Sequence, residues 1–487
     1  MRINNEGRSS KMVLRFSPIQ EAEAYDYPIK GSSDESDIKR RNLAFDVFRR
    51  TSGGSLNYSI GQGRDRNDDR GGSSWSSVPY VTYFLFCLNI LVFAIYICNS
   101  SVDVAGLEPK LLINNFTTTL AGTNITQMRQ RPNPWIGPSL KFLIGIGAMY
   151  APCVREDAKI KGIVKEAAVT PPDVLGCCEI RKRGLAAMAT YRDCKRFGFG
   201  HGMIWTKEAQ CGDMQLQVKN SVILRPCCVG TEGKCMMLAR VDCKKLDGLF
   251  HNAGPEHCSQ INCLGDICQF YENNSTYTPL NPNQWWRLFV SPFYHYGGLH
   301  LIMTLVGYIS IGKQLERSVG HIRIFIIYLG TAMMGLLTGG VFLPYHVHIG
   351  GTASVFGLFG VLQIQLIQTW KTHVKPCTEI ALLFFFFLFY AFLGLLSMVD
   401  NYEHIGGYWA GLLLGCLLLP YVTFGSWKLG VRRVVFAFSL SLTIISVLFL
   451  MCFYFIDPDF TFPEELVYFS CLPFSSGFCE NDDVEIK

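Results

Sequence analysis

Apolar runs and polar stretches alternate along this chain in a way that divides it into parts before any motif is considered. Residues 1–77 are polar and poor in aliphatic side chains. Val78 to Cys98 then supplies 21 consecutive residues without a charge. At about 1.5 Å per helical residue, that run can cross a hydrocarbon core of roughly 30 Å. A polar, cysteine-rich segment occupies residues 99–285. Apolar runs then follow in quick succession, at about Gly297–Gly312, Phe325–Leu343, Ile349–Trp370, Ile380–Leu396, Ile405–Phe424 and Val434–Ile456. The pattern predicts an all-α polytopic membrane protein: one helix at 78–98, a soluble insertion at 99–285, six helices within 286–456 and a tail at 457–487.

Composition agrees with that division. Across 487 residues, 49% hydrophobic against 17% charged is wrong for a water-soluble chain of this size. A net charge of +5 is too small and too evenly spread to serve as a nucleic-acid footprint, so that partner class is excluded. The N-terminus lacks the pattern of a removable signal peptide, which leaves targeting to the first membrane helix. Within residues 1–77, 13 Lys/Arg stand against 11 Asp/Glu, and Thr51–Ser77 is rich in Gly, Ser, Arg and Asp. This reads as a disordered tail. Inside it, residues 40–50 set Leu43, Ala44, Val47 and Phe48 at helical spacing between paired arginines. That piece reads first as a solvated charge run and second as a dock for a cytosolic partner or the bilayer surface.

Short-loop charge gives the orientation. Lys313, Arg317 and Arg323 fall between the second and third apolar runs, Lys371 and Lys375 between the fourth and fifth, and Lys428, Arg432 and Arg433 between the sixth and seventh. The alternate loops, Pro344–His348 and Ser397–Glu403, hold no Lys or Arg. The positive-inside rule therefore predicts a cytosolic N-terminus, with the insertion and C-terminal tail lumenal. Cysteine placement tests this independently. Cys153, Cys177, Cys178, Cys194, Cys211, Cys227, Cys228, Cys235, Cys243, Cys258, Cys263 and Cys268 lie in the insertion, Cys471 and Cys479 in the tail, and none in residues 1–77. An oxidising compartment on one side predicts that split, and Cys471 with Cys479 could close a small loop; order alone leaves the other pairings open. Zinc is the rival reading of Cys258, Cys263 and Cys268, disfavoured by their spacing and side, so neither a metal nor a cofactor is expected. Sequons at Asn115, Asn124, Asn273 and Asn274 fall on the lumenal side, whereas the one at Asn57 is cytosolic and Asn99 sits too near the membrane.

Polar groups inside membrane helices are costly, which makes them functional candidates. Three sets occur. His295-Tyr296-Gly297-Gly298-Leu299-His300, continuing to Thr304, begins the second helix and is preceded by Trp286-Arg287. Gly350-Gly351-Thr352-Ala353-Ser354 opens the fourth, and His404-Ile405-Gly406-Gly407 opens the sixth. Gly407, Gly411 and Gly415 form a small-residue stripe suited to close helix packing. On these motifs the region from about Trp285 onward resembles the rhomboid superfamily, a six-helix bundle here carrying a seventh helix. The resemblance implies a nucleophile position at Thr352, a base position at His404 and an oxyanion pair at His300 and Thr304. Thr352 replaces serine, Ala353 the glycine after it and Thr304 an asparagine. Loss of one oxyanion donor alone costs on the order of 10² to 10³ in rate. Ser354 is no substitute, because two residues along a helix turn a side chain by about 200°. The four positions therefore read as vestigial, with His300 and His404 expected to be structural histidines hydrogen-bonded across helices.

Arg225-Pro226-Cys227-Cys228-Val229-Gly230-Thr231, Cys258-Ser259-Gln260-Ile261-Asn262-Cys263, Leu419-Pro420-Tyr421 and the tail Cys471-Leu472-Pro473-Phe474 narrow the resemblance to the iRhoms, the inactive rhomboids. Gly351 stands where iRhoms usually place a proline. The resemblance implies a non-enzymatic membrane adaptor in the endoplasmic reticulum membrane, moving on to the Golgi and plasma membrane. Its implied clients are ADAM-type metalloproteases and EGF-family growth-factor precursors, whose trafficking or degradation it would control. The alternatives are an active intramembrane protease with Thr352 as nucleophile and a derlin-like retrotranslocation factor.

Overall fold

A computed structural model describes residues 78–99, 111–114, 127–130, 133–156, 174–198, 200–212, 222–246, 248–252, 254–269, 282–370, 373, 375–419, 427–455, 468–473, 479 and 484–486. The tail at 1–77, its segment 40–50 and the sequons Asn115, Asn124, Asn273 and Asn274 lie outside the described residues. Seven long helices stand among those described: α1 Tyr80–Asn99, α2 Gly298–Val319, α3 His321–Phe342, α4 Thr352–Gln368, α5 Pro376–Leu393, α6 Asn401–Leu418 and α7 Trp427–Phe455. By length and composition alone, α1, α3, α5 and the Gly430–Phe455 part of α7 could cross a membrane. The other three carry the polar groups and glycines that lipid would not favour, and helix neighbours cover them.

Two boundaries differ from the apolar pattern for the same reason. The second helix runs to Val319 rather than Gly312, so Lys313 and Arg317 lie on its last turns, and Gly320 at φ +90° makes the turn into α3. The last helix begins at Trp427, so Lys428, Arg432 and Arg433 lie on its first turns. A helix continues past the apolar core into the headgroup region, where charged side chains are tolerated.

The tightest packing joins α3, α4 and α6. A Cβ added at Gly407 would sit 2.1 Å from the carbonyl oxygen of Ala353, and one at Gly411 2.1 Å from that of Gly357. Gly415 is looser, its nearest neighbour being Ile364 Cβ at 3.2 Å. Without a hydrophobic drive between helices in lipid, this backbone approach supplies the dispersion contacts that hold the bundle.

The insertion is built on strands. β1 Leu111–Asn114 and β2 Gln127–Gln130 form one antiparallel pair, and β3 Met149–Tyr150 follows. β4 Leu175–Ile180, β5 Leu185–Thr190, β6 Met203–Lys207, β7 Val222–Val229, β8 Lys234–Leu238 and β9 Leu249–Phe250 make a sheet of order β6-β4-β5-β7-β8, with β9 also on β7. Among the described strands only the β5–β7 pairing is parallel. Beyond it, β10 Val347–His348 pairs with β3, and β11 Val484–Ile486 adds to β2.

Six disulfides fix this region: Cys153–Cys268, Cys177–Cys211, Cys178–Cys194, Cys227–Cys243, Cys228–Cys263 and Cys235–Cys258. A seventh, Cys471–Cys479, closes the tail loop. Cys258, Cys263 and Cys268 thus each bond a different partner, which removes the zinc reading for them. The two Cys-Cys dipeptides lie on β4 and β7, where consecutive side chains leave opposite faces, so each strand is stapled on both. The five cysteines outside disulfides, Cys87, Cys98, Cys377, Cys416 and Cys452, all belong to the long helices.

The insertion is bolted to the bundle. The fully buried Arg287 guanidinium donates to the carbonyls of Ile144 (2.6 Å), Ala148 (2.7 Å) and Cys268 (3.2 Å). Trp135 Nε1 donates to Ser397 O at 2.8 Å, and Tyr294 to Ile146 O at 2.8 Å. At the other end of α1, the buried Glu316 carboxylate accepts from the backbone N–H of Val81 (2.9 Å) and Thr82 (2.7 Å), satisfying first-turn donors that α1 cannot satisfy itself.

Candidate functional site

The turn before α4 sets the position of Thr352. Gly350 adopts φ +107°, a conformation that favours glycine, and a Cβ there would also make a tight 3.0 Å contact with His300 Cε1. Gly351 has φ −73°, which proline could adopt, but a Cβ would lie 2.9 Å from the Tyr328 hydroxyl. This close contact offers a physical reason for glycine at that position.

The four vestigial positions are all buried, yet they do not form a catalytic set. His404 Nδ1 pairs with Asn401 Oδ1 at 2.9 Å, one turn back on the same helix, and its ring stacks on Phe356 with centroids 4.1 Å apart. Its Nε2 has no hydrogen-bond partner, so Thr352 and His404 are not joined. Thr304 Oγ1 donates to the carbonyl of His300 at 2.9 Å, which turns its hydroxyl onto its own helix. Ser354 Oγ likewise donates to Tyr328 O at 2.8 Å, tying α4 to α3. A nucleophile needs a base within hydrogen-bond reach, which Thr352 lacks, and of the two oxyanion positions the Thr304 hydroxyl is turned away.

The expectation that these histidines bond across helices does not hold. Neither ring nitrogen of His300 has a partner, nor does either of His295. Aromatic edges enclose them instead: His300 lies 5.5 Å from Trp135, 5.1 Å from Tyr296 and 5.5 Å from His295, centroid to centroid. Outside the helices, burial depresses the pKa of His295 to about 3, which keeps that ring neutral.

A second polar centre was not singled out from the sequence. His348, on β10, faces Asp400 and Glu403 at the start of α6, and all three are buried. His348 Nδ1 lies 2.8 Å from Glu403 Oε1 and 3.4 Å from Asp400 Oδ2, while Nε2 pairs with Leu343 O at 2.9 Å. Asp400 Oδ1 caps α6 through Tyr402 N (2.8 Å) and accepts from Ser470 Oγ in the tail (2.5 Å). Burial opposes charge on His348, but the adjoining Asp400 and Glu403 carboxylates outweigh it and push its pKa up to about 10. Burial alone would raise Asp400, and His348 holds it below the ordinary value. One signal was available: the two loops free of Lys and Arg carry only histidine in one case and only carboxylates in the other.

The Rhomboid domain model matches residues 282–421, the stretch that holds α2 to α6 with the Thr352 turn and His404. Over much more of the chain the similarity is to inactive members. Inactive rhomboid protein 2 of Homo sapiens is 28% identical over 94% of this chain and 59% of its own length. Inactive rhomboid protein 1 of Bos taurus is 27% identical over 84% and 53%, and that of Danio rerio 27% over 83% and 52%. These relatives, with the domain match, support an iRhom-type pseudoprotease. The chain spans a little more than half the length of these relatives.

Proposed function

We propose that this protein is a catalytically inactive membrane adaptor that binds client transmembrane proteins and controls their secretory-pathway trafficking or degradation. The observation that carries the reading is the unmade Thr352–His404 pair inside an otherwise closely packed α3/α4/α6 bundle. The helices are held as tightly as a recognition scaffold requires, while the hydroxyls of Thr304 and Ser354 are committed to backbone carbonyls. A cleft of about 170 Å³ between α4, α5 and α6, lined by Phe359, Gln363, Leu383, Phe387 and Tyr408, offers a client helix a place to insert side chains. The insertion, fixed to the bundle through Arg287, supplies a second contact for the client's ectodomain, and two linked contacts raise avidity without new chemistry.

The proposed clients are ADAM-type metalloproteases and EGF-family precursors, and the proposed setting is the endoplasmic reticulum membrane with onward passage to the Golgi and plasma membrane. In this orientation the N-terminus is cytosolic, and the disulfides and tail face the lumen. Affinity purification of the full chain from native membranes is expected to recover a metalloprotease or growth-factor precursor, and recovery of neither would overturn the reading. Endoglycosidase shifts should map to Asn115, Asn124 or the Asn273/Asn274 pair; a glycan on Asn57 would reverse the orientation.

A further inference from the structure

We infer that His348, Asp400 and Glu403 form a binding site for a divalent transition-metal ion, zinc first, that locks the tail and the β3/β10 pair onto the start of α6. The inference rests on the ligand set and not on the client reading.

One ligand atom from each residue lies within 4.8 Å of the other two, with all three side chains buried. Four ligands around zinc at bond lengths of about 2.0–2.2 Å stand roughly 3.3–3.6 Å apart, so modest rotations bring these atoms onto one ion. The imidazole already has the orientation such a site needs. Its Nε2 is committed to the Leu343 carbonyl and its Nδ1 faces the carboxylates, matching the outer hydrogen bond that fixes a metal-binding histidine.

Two observations point beyond an ordinary ion-pair cluster. Asp400 is 4% exposed, and its Oδ2 takes no hydrogen bond and meets only the long ion contact to His348 Nδ1 at 3.4 Å, while Oδ1 takes both the Tyr402 and Ser470 bonds. A buried carboxylate oxygen held by one long contact alone is incompletely satisfied, and a cation at the point of convergence would satisfy it. The second is Gly339 on α3. A Cβ there would lie 2.6 Å from Asp400 Oδ2, 2.7 Å from His348 Nδ1 and 2.9 Å from Glu403 Cγ, so the missing side chain keeps open the point on which all three groups converge.

Charge and donor type select the ion. Once the ion has displaced the His348 proton, two carboxylates and one neutral imidazole carry two negative charges, which a divalent cation balances in a buried setting. Calcium and magnesium take oxygen shells of six or more, whereas imidazole with carboxylate suits zinc. Binding displaces the proton from His348, and any proton shared by the carboxylates, to solvent; no other reactant is needed. Because the Ser470 bond closes over Asp400, the ion would enter before the tail docks.

The test is metal content of the full chain purified in detergent and passed through a desalting column. About one zinc per chain is expected. Asp400→Asn retains a competent helix cap, and Glu403→Gln retains the side-chain shape; both should lower bound zinc at least ~10-fold, the scale on which even outer-shell changes act. Cobalt exchanged into the site should show ligand-field absorption that Glu403→Gln removes. Zinc below a tenth of an equivalent in the parent protein, with unfolding indifferent to a chelator, would mean that the three residues are an imidazolium–carboxylate clamp only. Full zinc retention in both variants would place the metal elsewhere and equally overturn the assignment. Either result leaves client capture unaffected, so the two readings fail separately.

Discussion

The sheet of the insertion and the α3/α4/α6 core of the bundle are both closely packed, but different physics holds each. On the sheet, β4 and β7 are stapled through Cys177, Cys178, Cys227 and Cys228 to four separate partners. In the bundle no disulfide joins the described helices, and Gly407 and Gly411 bring backbone against backbone. A domain in water with small apolar clusters, such as Cys178, Ile180, Ala189 and Cys194, gains stability from constraining its unfolded chain. Helices in lipid gain nothing from hydrophobic transfer between themselves, so proximity of small residues does that work. The lesson is that a cysteine and a glycine can serve the same end in two solvents.

The comparison can be broken at either side. Cys227→Ser or Cys258→Ser should be the most damaging, costing ~2–5 kcal/mol and retaining the protein in the endoplasmic reticulum; normal export of either variant would show that the staples are dispensable. Next comes Gly407→Val, where the clash is with a backbone carbonyl that cannot move aside. Overpacking of this kind costs ~1–3 kcal/mol, read as earlier unfolding in a denaturing-detergent titration. Gly411→Val should match it and Gly415→Ala should be nearly silent; equal effects at all three would refute the close-approach argument. His404→Ala should lose ~0.5–1.5 kcal/mol, chiefly the Phe356 stack, and leave client capture intact. Smallest of all, Thr352→Ala should change neither stability nor the fragments seen in cells. Disappearance of a cleavage product in that variant would restore the threonine-protease reading.

Much of the architecture was legible because its signals are local. Uncharged runs such as Val78–Cys98 mark the helices, and the four-residue spacing of Gly407, Gly411 and Gly415 marks the α6 seam against α4. Charges misled at helix ends: Lys313 and Arg317 resemble a loop by composition, although the helix carries them to Val319. The role of Glu316 was hidden because its partners, Val81 and Thr82, are more than 230 residues away. Distance in sequence also hid the approach of His348 to Asp400 and Glu403, although the opposite charge types of their two loops were visible. At the vestigial site, residue identities were readable but hydroxyl directions were not. Thr304 turning to His300 O, and the unpartnered nitrogens of His300, depend on rotamers that no spacing encodes.

The adjacent cysteines on β4 and β7 have a consequence for how this protein is made. Two neighbours on a strand cannot exchange roles without a one-residue slip, and such a slip turns every side chain of the strand to the wrong face. Cys177 meets Cys211 and Cys178 meets Cys194 only when the pairing of β4 is correct. Forming these four disulfides therefore depends on the strand register. A correctly aligned sheet is sealed by its disulfides, and a misaligned one leaves their thiols unpaired.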